Sequence, residues 1–317
     1  MIPTRKLGQS GLEVPVIDLG GNVFGWTVDE AATFRILDKA VDLGLTFIDT
    51  ADLYSRWVPG HKGGESETLI GKWFARSGKR DQVTLTTKVG MDMGDGNKGL
   101  SAKHIAQAAE DSLRRLQTDR IDLYFSHLDD ADTPLEETLG AHAKLIAEGK
   151  VRATGASNYK GARLREAMET ARRNNLPGYT VLQPHYNMME RADYESDLAP
   201  VVAEYGLGVV PYFALASGFL TGKYRSPKDV EGKARGQSVG KYLNEKGLVV
   251  LAALDEVAEQ YDATPGEVAL AWLAAQPGIT APIASATSEK QVEELAKAAK
   301  LQLDDASLAK LDAVSKQ

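Results

Sequence analysis

The octapeptide FIDTADLY, residues 47–54, decides how the chain is read. It begins as an apolar strand and, within one residue of its core, presents Asp49, Thr50, Asp52 and Tyr54. Acids at the end of a buried strand are costly unless they are paired or exposed. The segment is therefore either an ordinary loop entry or the rim of an active site, and its neighbours along the chain must decide.

On both sides of it, short apolar runs alternate with amphipathic stretches of helical period, the pattern of βα units and a parallel sheet. Strands are expected at 16–19, 46–49, 83–87, 123–126, 153–155, 181–184, 208–211 and 281–283. Helices are expected at 29–43, 65–75, 102–116, 135–148, 161–174, 194–205, 247–260 and 289–300. Thr133-Pro134 ahead of Glu136 and Glu137 reads as a helix start, with a Thr cap, Pro at the first position and acids at the positive dipole end. Eight alternating units without a linker predict one domain over residues 1–317, a (β/α)8 TIM barrel. A β-hairpin at 4–14, turning at Gln9-Ser10-Gly11, would plug its bottom, and a helix at 306–314 would end the chain. No G-x-G-x-x-G follows the first strand, so the doubly wound dinucleotide fingerprint is missing. The segment 217–246 is long for a connection in a compact domain, which usually signals function or mobility.

Composition narrows the class. The chain has 317 residues, 43% hydrophobic and 26% charged, with a net charge of -7 and no basic run, which argues against a nucleic-acid partner. It contains 0 Cys, which removes thiol nucleophiles, thiolate metal sites and disulfides, and fits a cytoplasmic location. The N-terminus lacks the apolar core of a signal peptide. Residues 268–288 carry no charge, but Gln276, Pro277, Gly278, Thr280 and Pro282 interrupt them. They read as a buried helix end, a turn and a short strand, and no membrane partner is expected.

In a barrel, active sites gather at the C-terminal ends of the strands. There the sequence places Asp49 and Tyr54, Lys88 after VTLTT, His127 after DLYFS, Ser157-Asn158, Gln183 and Tyr212. A tyrosine hydroxyl titrates near 10. An adjacent Lys88 ammonium would lower that value, Asp49 would keep the lysine charged, and His127 would orient a carbonyl. Together they form a general acid for carbonyl reduction. Each residue also has a plain reading: Asp49 as a turn residue, Lys88 as a snorkelling strand end, His127 as a core histidine, Tyr54 as packing. Their joint placement at successive strand ends favours chemistry.

The motifs FIDTADLY, TTKVG, DLYFSHLDD with TPLEETL, GASNY, LQPHYNMM, VVPYFALASGFLTGKY and SATSEKQVEEL, in this order, resemble the aldo-keto reductase family over essentially the whole chain. The resemblance implies a catalytic tetrad of Asp49, Tyr54, Lys88 and His127. It implies a nicotinamide site at Ser157, Asn158 and Gln183 with Tyr212 against the ring. Ser217, Gly218, Leu220 and Lys223 would cover the pyrophosphate, and Ser285, Thr287, Ser288, Lys290 and Gln291 would take the adenosine end. Leu295 stands where many relatives carry Asn, and Thr287 or Ser288 where they carry Arg. Three hydroxyls, a helix N-terminus and Lys290 outnumber Glu289, so NADP(H) is the preferred cofactor expected, with NAD(H) admissible. A small-molecule carbonyl substrate is expected at Phe24, Trp26 and Trp57, and no metal.

Two other classes remain at this level: a slow-turnover redox-sensing regulatory subunit resembling potassium-channel β subunits, and a Schiff-base aldolase using Lys88. His61, Glu65 and Glu67 invite a zinc reading, but they lack a His-x-x-x-His pair and read better as a solvated acidic helix start. Substrate identity, reaction direction and oligomeric state are not legible.

Overall fold

A computed structural model of the chain describes residues 1–94, 96–233 and 235–316. A two-stranded antiparallel hairpin, β1 (Thr4–Lys6) and β2 (Glu13–Pro15), precedes the main sheet. Eight parallel strands follow among the described residues: β3 (Asp18–Gly20), β4 (Phe47–Asp49), β5 (Thr84–Val89), β6 (Ile121–Ser126), β7 (Val151–Ser157), β8 (Val181–Gln183), β9 (Gly208–Val209) and β10 (Ile283–Ala284). Their order is β10-β3-β4-β5-β6-β7-β8-β9. Beyond the paired strands, Thr280 N–H donates to the Val209 carbonyl at 2.8 Å and Ile283 N–H to that of Pro211 at 2.9 Å.

Helices cover the outer face of this curled sheet: α1 (Glu30–Leu43), α2 (Glu65–Ser77), α3 (Ala102–Leu116), α4 (Leu135–Ala147), α5 (Gly161–Arg173), α6 (Ala199–Tyr205), α8 (Glu245–Gln260), α9 (Pro265–Ala275), α10 (Glu289–Ala298) and α11 (Asp305–Ser315), while the short α7 (Gly236–Gly240) packs against the turns at Ala216–Thr221 and Pro227–Val230. Alternation along the strands sorts side chains to two layers. Leu19, Ile48 and Leu85 join the apolar layer beneath the helices. Phe47, Leu123 and Phe125 point the other way and pack with Leu7, Leu12 and Val14 of the hairpin. The hairpin thus closes one end of the sheet, as expected, and the register Gly20↔Asp49 and Asp49↔Thr86 brings the strand-end polar residues to the other. Among the described residues, no helix is long and apolar enough to cross a membrane.

Four local readings need correction. Helix α4 starts at Leu135 with Pro134 at the cap, because the Thr133 hydroxyl is taken by Asp130, 2.6 Å away. The stretch 194–205 is no single helix: a wide π turn at Tyr194–Leu198 precedes α6, where Pro200 has no N–H to continue the α pattern. Residues 217–246, apart from Ala234, are a folded segment with 3-10 turns at Ala216–Thr221 and Pro227–Val230 and the short α7. It is tied down where Arg225 forks onto Asp255 at 2.8 and 2.7 Å. Glu67 is not solvated. It is fully buried, accepting from Thr87 Oγ1 and Arg115 Nε, each at 2.6 Å. Gly71 permits that contact, since a Cβ there would lie 2.1 Å from the Arg115 carbonyl oxygen.

Removing one partner of a buried ion pair leaves the other uncompensated. Arg115→Met is expected to lower the unfolding free energy by about 3–5 kcal/mol, measured by urea denaturation, whereas Glu67→Gln with Arg115→Met should recover part of the loss.

Candidate active site

Lys88 sits at the end of β5 with no exposed surface, and its ammonium has three donors to place. They go to Asp49 Oδ2 at 2.6 Å, the Thr50 carbonyl at 2.8 Å and Tyr54 Oη at 3.1 Å. Burial pulls the lysine pKa down, but Asp49, Tyr54 and their hydrogen bonds outweigh it and the net shift is upward. The amine therefore stays charged, which disfavours a Schiff base. Asp49 is braced on its other oxygen by Gln183 Nε2 at 3.0 Å.

Tyr54 departs from the expected direction. Burial raises its hydroxyl, Lys88 pulls back, and burial wins, leaving a pKa of about 12. His127 lies beside it, ring centroids 6.2 Å apart. Burial first and the Lys88 charge second depress the imidazole well below its usual value, so it is neutral at pH 7. Asn158, in the left-handed region at φ 56, holds the His127 carbonyl through Nδ2 at 2.8 Å and accepts from Tyr212 Oη at 2.8 Å.

These groups open on a cavity of about 810 Å³. Asp49, Tyr54 and His127 line it at one end, with Trp26 and Trp57 beside them; Lys88 lies just behind. Phe24 does not reach it. It is fully buried in the core, where its carbonyl accepts from Ser55 Oγ, so the expected substrate contact is corrected to packing. The cavity continues past Ser157, Asn158, Gln183 and Tyr212, along Ser217, Gly218 and Lys223, to Ser285, Thr287 and Gln291. Leu220 is buried beneath this surface. Ser288 instead caps α10, and Lys290 projects to solvent toward Glu294 at 3.9 Å; neither lines the cavity.

The dimensions and donors suit an extended dinucleotide. Tyr212 has one ring face against His185, centroids 5.2 Å apart and planes 10° apart. Lys223, Lys233 and Arg235 line the cavity and form no ion pair among the described residues. Arg235 stands over the Trp26 ring at 5.4 Å, and burial lowers its pKa. Sequence reading missed Arg235; its one signal was a pair of cations in an already conspicuous segment. Ala216 and Ser217 adopt left-handed φ values of 48 and 60, so backbone strain is concentrated where the segment meets the cavity.

Behind the Tyr54 loop, Asp52 and Glu67 share a single guanidinium, Arg115, which bonds Glu67. Asp52 Oδ1 is buried without a partner. Burial first, and the Glu67 charge second, push its carboxyl up to about 8. Among the described residues no group of three or more His, Asp or Glu could hold a metal.

The sequence profile described as the Aldo/keto reductase family matches residues 16–316. An uncharacterized oxidoreductase of Bacillus subtilis, YrpG, is 37% identical, over 94% of this chain and 91% of its own length. A probable voltage-gated potassium channel subunit beta of Arabidopsis thaliana is 33% identical, over 93% and 90%. An aldo-keto reductase of Schizosaccharomyces pombe, yakc, whose name specifies NADP(+), is 33% identical, over 97% and 89%.

The Asp52 carboxyl makes stability depend on pH. Its folded pKa of about 8 lies above the ordinary 3.8, so between them the folded chain holds a proton that the unfolded chain releases. Stability is lost as pH rises through that window, by about 1.4 kcal/mol per unit. Asp52→Asn removes the penalty. Chemical denaturation across the pH range should show the variant's advantage over the unsubstituted protein opening above about pH 4 and levelling off near pH 8.

Proposed function

Because this chain belongs to the aldo/keto reductase family and is an NAD(P)H-dependent oxidoreductase, we propose that it reduces an aldehyde or ketone to the alcohol, with Tyr54 as general acid and NADPH as preferred cofactor. The observation that carries this reading is the Lys88 ammonium held between Asp49 at 2.6 Å and Tyr54 Oη at 3.1 Å at the mouth of the cavity. The two bonds between 280–283 and Val209–Pro211 support reading the sheet as a closed (β/α)8 barrel in one domain. A cytoplasmic location is part of the same reading.

A bound nicotinamide dinucleotide supplies the hydride. The chain's own residues manage the proton. A phenol with a pKa of about 12 keeps its proton at every working pH, yet an alkoxide is a stronger base and takes it. The phenolate left behind is stabilised by Lys88, and Asp49 keeps that ammonium charged. Neutral His127 can donate from a ring nitrogen to the carbonyl oxygen and orient it. The ring face of Tyr212 not covered by His185 is the shelf for the nicotinamide. Gln183, with one amide N–H used on Asp49, keeps its oxygen for the carboxamide, next to Ser157 and Asn158. Lys223 and Arg235 are the cations for the phosphates, with Ser217 and Gly218 on the covering segment. Ser285, Thr287 and Gln291 take the adenosine end.

A second reading, a slowly turning-over redox-sensing subunit, is favoured by the likeness to the Arabidopsis channel subunit. Steady-state turnover with an aldehyde panel separates the two, since a sensor would turn over only slowly with every aldehyde.

Tyr54→Phe should leave cofactor affinity intact and lower kcat by about 10²–10⁴. Retention of the full rate would eliminate Tyr54 as donor. Lys88→Met should also lower kcat, because it removes the charge that stabilises the phenolate left on Tyr54.

Arg235 replaces Lys290 as the side chain on which the phosphate preference rests, because a fork-shaped donor on the cavity wall outweighs an exposed ammonium off it. NADPH should bind more tightly than NADH by about 1–3 kcal/mol in a fluorescence titration. Arg235→Ala should shrink that gap and Lys290→Ala should not.

A further inference from the structure

Asp18 of β3 is fully buried, and neither of its carboxyl oxygens has a hydrogen-bond partner among the described residues. Alternation along the strand decides where it points. Ile17 and Leu19 on either side join the layer beneath the helices, so Asp18 faces inward, as Asp49 does one strand away. Thr86 of β5 is placed alike. Its neighbours Leu85 and Thr87 turn outward, to the helix layer and to Glu67 of α2, and Thr86 Oγ1 is also buried without a partner. Because Thr86 is in register with Asp49, and Lys88 stands two residues further along β5, the hydroxyl lies just below the Lys88–Asp49 pair.

Buried polar atoms in native proteins are bonded, and where protein groups do not supply the bond an internal water does, usually with about three partners. Asp18, Thr86 and Asp49 make such a set. Asp49 Oδ1 carries one bond, 3.0 Å from Gln183 Nε2, and keeps a lone pair. A carboxylate withdrawn from water with no cation against it is too costly to stay charged, so Asp18 holds its proton. Burial first and the Asp49 charge second, against an opposing Lys88, raise its pKa accordingly. The ionisable groups that face it are Asp49 from β4, Lys88 from β5 and Tyr54 from the loop after β4, while β10 on its other side brings only Ile283 and Ala284.

We propose that Asp18 and Thr86 hold a buried water against Asp49, and that Asp18 is through it a positioning residue whose charge state sets how readily Tyr54 gives its proton to the substrate. This rests on the carbonyl-reduction reading. While Asp18 carries its proton, Lys88 answers to one carboxylate and is available to stabilise the phenolate formed on Tyr54. Once Asp18 ionises, a second carboxylate competes for the same ammonium and opposes the phenolate, so proton transfer slows. The rate is full below the titration of Asp18 and settles on a lower plateau above it.

The test is the pH profile of hydride transfer in a single turnover, read from the absorbance of bound NADPH with the best substrate of an aldehyde panel. The unsubstituted protein should lose about threefold to tenfold in rate across an alkaline step. Asp18→Asn, which keeps a donor and an acceptor for the water but cannot ionise, should hold the rate at neutral pH and abolish the step. Thr86→Val should move the step to higher pH, because the water it frees no longer donates to the Asp18 carboxylate. Asp52→Asn, which removes the other raised carboxyl, should leave the step in place. Thermal unfolding confirms that each variant folds. Infrared difference spectra of the cofactor-free protein at pH 7, unsubstituted minus Asp18→Asn, should show the carbonyl stretch of a protonated carboxyl, and its absence overturns the proposal whatever the kinetics. With turnover intact, a profile unchanged in Asp18→Asn, or a step lost in Asp52→Asn, overturns the role of Asp18 alone, and an unmoved step in Thr86→Val overturns the water bridge. Absence of hydride transfer to every aldehyde overturns the reduction reading and the role of Asp18 together.

Discussion

The buried Lys88–Asp49 ion pair is the constraint on which the mouth of the cavity depends. Two opposite charges withdrawn from water lose solvation that their attraction alone does not reliably return. Here all three ammonium protons have acceptors, and Asp49 is bonded on both oxygens. Tyr54 and Gln183 therefore have their positions set by the need to satisfy this pair. The same bonds that stabilise the charges aim a phenol into the cavity, so structure and chemistry share one set of contacts.

A second set of buried charges lies behind the first. Asp52 and Glu67 share Arg115, and Asp18 of β3 is buried with neither carboxyl oxygen partnered. Burial first, then the charge of Asp49, raises Asp18 well above the usual carboxylate range. The sheet end thus holds more carboxyl groups than cations, and the surplus stays neutral. Ion pairing is reserved for Asp49 and Glu67, the two carboxylates with direct cationic partners. This division keeps the net charge around Tyr54 close to balance, which a phenolate formed there requires.

The opposite wall works by backbone constraint. Phe213, Ala216 and Ser217 are three of the non-glycine residues held at positive φ, all within five positions. Asn187 pins the turn from outside, its amide on the Phe213 carbonyl and its oxygen accepting from Met189 and Glu190. Strain of this kind persists only where neighbours over-determine it. It carries the chain from β9 across the cavity and turns Phe213 outward beside Tyr212.

The sequence by itself determined the strand and helix alternation, the hairpin, and the strand-end placement of Asp49, Tyr54, Lys88 and His127. Those features follow from periodicity and from the cost of polar groups in apolar strands, both of which are local. It did not determine which interactions win. The phenol rises to about 12 although a lysine adjoins it, because desolvation depends on everything packed around Tyr54. Glu67 becomes a buried strut because α3, far along the chain, brings Arg115 to it. Phe24 turns to the core and Lys290 to solvent, while Arg235 reaches the cavity over Trp26. Direction of a side chain, burial and the balance of competing charges are sums over neighbours distant in sequence, and the tertiary structure alone supplies them.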